Sequence, residues 1–392
     1  MPNISHYNVS DVALYYQGLV ALATSPMASA VAAEEIRRRA VTYVERRRAI
    51  FSLPPPRGEL ETLGEKILFD LRQMDLASIA DTKVQLTAGG LAIVGTLKKE
   101  GGGRIARLAI LSRLVETYEN AASLCTTVTP PMGKPLFVPI PRATTEETDD
   151  DDGGEPRLVP ANLEAMCAAW TQWCLENQRP DLTPPDFQRR TEALLEASKD
   201  KRGFAEKARN AIGQLVVASA TNNGVAKAPI FRTIRDRLST AGALNSITRP
   251  VPGKPFFVEV IFSCMHIGRP PARAEEWQPL GAKLMREDLW IHESEPAHLK
   301  ESVLAALRDA RRTVIERAGY YRIYELRDRV CEALALSQGM FDSVFVYLYR
   351  TQPGTMTLGV DYEKITAKRL PIEIRDGASS NLFNLVAFKE LT

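Results

Sequence analysis

The sequence predicts a mainly α protein with small antiparallel β-hairpins, an α+β class. Three observations lead there. Residues 123–140 (SLCTTVTPPMGKPLFVPI) and 243–260 (ALNSITRPVPGKPFFVEV) align without a gap at an offset of 120 residues. Upstream of each copy, Ile110, Leu114, Tyr118 and Ala121 align with Ile230, Ile234, Leu238 and Ala241. Steps of 4, 4 and 3 describe one apolar face of a helix. An acidic stretch, 143–156 (ATTEETDDDDGGEP), separates the copies and has no apolar periodicity.

Composition sets outer bounds. The chain has 392 residues, 45% hydrophobic and 25% charged, with 50 Lys+Arg against 48 Asp+Glu. That excludes a disordered or fibrous chain and implies two to four domains. The net charge of +2 argues against a polyanion partner until it is divided along the chain. Residues 143–156 hold seven acidic groups and no basic one, so the remainder carries +9. Residues 185–262 hold thirteen basic groups against seven acidic. Five scattered cysteines suit a reducing cytoplasm rather than a disulfide framework.

The elements follow in order. Val12 to Ala33 is uncharged but carries Tyr15-Tyr16-Gln17-Gly18 and Ser25-Pro26. It reads as two buried helices, Ser25 capping the second and Pro26 opening it, rather than a membrane span. The second continues over Ala28–Ile50, with Arg37-Arg38-Arg39 and Arg46-Arg47-Arg48 beside Glu34, Glu35 and Glu45. Pro54-Pro55-Pro56 ends this region. Helices are expected near Gly89–Glu100 and from Arg104, and again at Gly203–Ala220 and Pro229–Ala241. In the second copy, strands Leu244–Arg249 and Phe256–Phe262 flank a turn holding Pro250, Pro252 and Pro255, because proline cannot donate to a ladder. The first copy is expected to repeat the pattern: helix, strand, turn, strand. Seven of its 18 positions are identical, among them the Gly133-Lys134-Pro135 turn. An exposed linking helix is expected over Glu301–Ala318, and after it a third such section with a helix over Ile323–Ser337 and an apolar helix or strand over Met340–Arg350. A hairpin of Leu370–Ile374 and Leu382–Phe388 turns at Asp376-Gly377.

Helices followed by a two-stranded hairpin in so short a span resemble the winged-helix branch of the helix-turn-helix family. The matching residues are Ile110–Ala122 with Pro130–Pro135, and Ile230–Leu244 with Pro250–Pro255. The resemblance implies tandem winged-helix-like modules. The chain divides into a helical region (1–56), module 1 (57–142), an acidic linker (143–156), module 2 (157–270) and a C-terminal region with a possible third module (271–392). It further implies a helix able to enter a major groove and a hairpin able to touch the backbone.

The expected activity is therefore binding of nucleic acid, duplex DNA above all, as a regulator, a replication or maintenance factor or the DNA-contacting subunit of a larger complex. Arg232, Arg235 and Arg237 lie off the apolar face of their helix and are expected to reach outward to phosphate or guanine. Lys227, Arg249 and Lys254 support them, and Arg107, Arg113 and Lys134 are their counterparts in the first copy. The alternative is an adaptor or scaffold whose winged helices bind protein, through apolar runs such as Phe256-Phe257-Val258 and Val344-Phe345-Val346. Protein partners or a homo-oligomer are expected in either case. No phosphate-loop, nucleophile-elbow or His-Glu-x-x-His motif occurs, so neither enzyme activity nor a cofactor is expected. Cys264-Met265-His266 cannot complete a tetrahedral metal site alone, and His292 and His298, flanking Glu293 and Glu295, are only a weak metal or acid/base cue.

Overall fold

A computed structural model describes residues 9, 11–51, 60–99, 102–130, 133–141, 160–196, 204–220, 228–267, 289–291, 296–361, 371–376 and 379–389. The acidic stretch, Pro54–Pro56, Lys227 and His292 lie outside them. The protein is mainly helical with antiparallel sheets of two or three strands. It divides into two compact units. Unit 1 comprises Met1–Tyr7, Tyr118–Asp236 and Ser246–Ser263, and unit 2 comprises Asn8–Thr117, Arg237–Asn245 and Cys264–Thr392. These divisions cut across the boundaries expected at 56, 142 and 157.

The N-terminal part of unit 2 begins with α1 (Ala13–Leu22), strand β1 (Met27–Ala28) and α2 (Ser29–Phe51). Pro26 therefore precedes a strand rather than opening a helix. Next come α3 (Leu63–Gln73), β2 (Ala77–Ala80) and β3 (Lys83–Leu86). Tyr15, Leu19, Ile36, Leu63, Ile67 and Leu71 bury completely, or nearly so, where α1, α2 and α3 meet. Apolar area removed from water supplies most of the stability there. A Cβ on Gly64 would fall 1.9 Å from the Ala33 carbonyl oxygen, so only glycine lets α3 approach α2. The β2–β3 hairpin was not expected from sequence. Its two turn residues, Asp81 and Thr82, both adopt positive φ, the requirement of a tight hairpin turn, but lack the glycine that announces one. Helices α4 (Ala88–Leu97) and α5 (Gly102–Thr117) match expectation. Thr87 caps α4 by accepting from the Gly90 amide at 3.2 Å.

Unit 1 holds most of the repeat, residues 237–245 belonging to unit 2. Residues 124–128 lie in α6 (Glu119–Val128), not in the expected strand. There Thr126, Thr127 and Thr129 each donate to the carbonyl four residues back, a bond that helical backbone accommodates. The chain continues through β4 (Leu136–Pro141), α7 (Pro160–Glu176), α8 (Phe187–Glu196), α9 (Phe204–Ala220), α10 (Ala228–Thr240), β5 (Leu244–Pro250) and β6 (Phe256–Ser263). The sheet order is β4-β6-β5, so the strands ending the two repeat copies pair with each other. Phe137 faces Val260 and Ile140 faces Phe257. Since 137 aligns with 257 and 140 with 260, the pairing has a local two-fold. Trp170 buries fully, stacked on Trp173 at 5.0 Å and met edge-on by Phe256 at 5.5 Å.

The rest of unit 2 contains the pair β7 (Met265–Ile267) and β8 (Leu289–Ile291), then α11 (Pro296–Arg311), β9 (Tyr321–Arg322), α12 (Ile323–Leu334) and α13 (Gln338–Thr351). Val344-Phe345-Val346 thus belongs to a helix, with Val344 and Phe345 in its buried face. Strands β10 (Met356–Gly359), β11 (Ile372–Asp376), β12 (Ser379–Phe383) and β13 (Leu385–Phe388) follow. Pairs β11–β12 and β10–β13 replace the single expected hairpin.

Three groups now share one arrangement: a helix, a strand, two further helices and two strands, with the last strand central in the sheet. The orders are β1-β3-β2, β4-β6-β5 and β9-β13-β10. The middle group inserts α7 and α8 after β4, and the last inserts β11–β12 between β10 and β13.

Two outcomes follow for stability. Gly64→Ala should lose about 1–3 kcal/mol in urea unfolding. Gly95→Ala, where a Cβ meets nothing within 4 Å, should gain about 0.5–1 kcal/mol. A fragment of residues 157–270 lacks β4 and should unfold at lower urea than one of residues 118–267.

Candidate nucleic-acid interface

Helix α10 owes its orientation to three buried apolar residues, Phe231, Ile234 and Leu238, spaced at helical intervals. Its arginines do not reach outward as expected. The Arg235 side chain is only 12% exposed. Its Nη1 donates to Glu259 Oε1 at 2.8 Å, and its Nε and Nη2 donate to Asp236 Oδ1 at 2.9 and 2.7 Å. Burial works against the charged guanidinium, yet Glu259 and Asp236 outweigh it and hold Arg235 above its ordinary value. Glu259 is itself 3% exposed, on β6 opposite Val138.

Arg237 is fully buried. Its Nη1 lies 3.0 Å from Asp70 Oδ2, its Nε donates to the Val9 carbonyl, and its guanidinium lies over the Tyr15 ring at 5.9 Å. The Tyr15 hydroxyl donates to the same Asp70 oxygen at 2.9 Å. Asp70, 1% exposed, thus receives a cation and a hydroxyl. The periodicity placed Arg235 off the apolar face, whereas Arg237 lies only about 60° around the helix from Ile234 and buries with it. It could not show that another element covers that side of the helix.

The remaining candidates are dispersed. Arg232 and Arg249 are half-buried. Lys254 Nζ lies 3.7 Å from Glu176, and Arg113 lies 3.7 Å from Glu116. Lys134 is exposed and helps Arg179 hold the Asp181 carboxyl below its usual range, chiefly through the Arg179 hydrogen bond. Arg107 is half-buried, and a Cβ on Gly242 would fall 3.0 Å from its Nη1. On α2, Arg37 pairs with Glu34, Arg38 and Arg39 with Glu35, and Arg47 with Asp11.

Asp70, Glu259 and Tyr15 were missed from sequence. The signal was present: Asp70 interrupts the apolar stripe of Ile67, Leu68 and Leu71, and Glu259 interrupts the run FFVEVIF. An acid on a core face requires a cation.

All five cysteines are free and buried. Burial pushes the thiols of Cys125 and Cys264 up to about 12, Arg107 opposing it at Cys264. Among the described residues, no three His, Cys, Asp or Glu side chains form a group that could hold a metal. No described helix is long and apolar enough to cross a membrane. No family model, curated protein or solved structure matches this chain.

Arg237→Met or Asp70→Leu alone should destabilise the fold by about 3–5 kcal/mol, because each strands a buried charge. Arg237→Met with Asp70→Leu together should cost less than the sum of the single changes, a coupling that denaturant unfolding of the four proteins measures. The buried thiols give stability a pH dependence. An unfolded thiol ionises near pH 8.5 while the folded one stays neutral. Their contribution is therefore full below about pH 8.5 and is lost as pH rises toward 12. The urea midpoint should fall between pH 8.5 and 11, and less so in Cys125→Ala with Cys264→Ala.

Proposed function

We propose that this chain is a non-catalytic adaptor or scaffold whose winged-helix-like units bind protein. Two features support reading its three groups as such units. Each runs from a helix pair into strands that form a sheet, the pattern the sequence resembles, and all three use one strand order. The helix next before the hairpin strands is α3, α10 and α13 respectively.

The observation that carries the choice of protein over DNA is the internal neutralisation of α10, through Arg235 with Glu259 and Arg237 with Asp70. A guanidinium already bonded to a buried carboxylate would have to break that bond to contact phosphate, at a cost of about 3–5 kcal/mol. The equivalent helices offer little positive charge in its place. On α3 the exposed residues include Glu65, Phe69 and Arg72, with Phe69 44% exposed. On α13, Val346, Tyr347 and Tyr349 are half-buried and Arg350 is its one basic residue. Aromatic and apolar groups of this kind are enriched in protein interfaces.

Duplex binding is the competing reading, carried by the +9 outside the acidic stretch and by exposed Lys134. One titration separates the two. A labelled duplex should show little affinity for the purified protein even at 50 mM salt, and the protein should carry no 260 nm excess. Tight binding that falls steeply between 50 and 200 mM salt would overturn the adaptor reading. Affinity capture with the intact chain, compared with Phe69→Asp, then tests α3: the adaptor reading expects a protein partner that the variant loses.

A further inference from the structure

We draw no further inference here: the strongest candidate, the junction in unit 2 where the Arg107 guanidinium lies against Gly242 and Gly339 at the start of α13, is a helix N-terminus beside a half-buried arginine with no second observation that points to a ligand.

Discussion

A carboxylate on a core face is the constraint on which much of this structure depends. Asp70 and Glu259 sit among apolar neighbours on α3 and β6, where an isolated charge would cost several kcal/mol. Each obtains a cation from α10. Within unit 1, Phe231 and Ile234 bury while Arg235 meets Glu259, and within unit 2, Leu238 buries while Arg237 meets Asp70. Such pairs add little net stability over apolar substitutes, since desolvation offsets most of the attraction. The same requirement keeps the Arg235 and Arg237 guanidiniums paired with Glu259 and Asp70.

Much of the fold was legible in the residues. The second repeat copy reads correctly as helix, strand, turn and strand, because helical spacing, β-branched runs and clustered prolines all agree there. The first copy reads wrongly at 124–128, because threonine suits a strand but here bonds back to helix carbonyls. The apolar run of α13 has helical length and burial, which Val344-Phe345-Val346 alone does not reveal. The charge pairing was least legible. Arg237 and Asp70 are 167 positions apart in sequence, and no local pattern joins them. Periodicity tells which residues leave a helix's apolar face. It does not tell which other element waits on that side.

The repeat also has a different meaning from the one its sequence suggests. It does not mark the same place in two modules: β4 is the first strand of its sheet and β6 the last. The two copies resemble each other because they are partners. Across their local two-fold, Leu136 and Phe256 are buried, Phe137 and Phe257 half-buried, and Val138 and Val258 buried again. Equivalent positions meet like surroundings, so like residues serve both. The identical Gly-Lys-Pro turns lead into strands that then run antiparallel beside each other.

That pairing sets a waiting time during synthesis. Strand β4 is made about 120 residues before β6, which at bacterial and eukaryotic elongation rates is roughly 6–24 s. Over that interval the segment Leu-Phe-Val-Pro-Ile-Pro, apolar and β-prone, has no partner strand. Such an edge can recruit the same segment from a neighbouring nascent chain. Pro139 and Pro141 blunt one side of the strand, the side that β6 does not cover, because each removes a backbone donor there. The prolines are compatible with the native sheet because, among the described residues, β4 lies at its edge with β6 as its one neighbour. The strand thus waits with one side open rather than two.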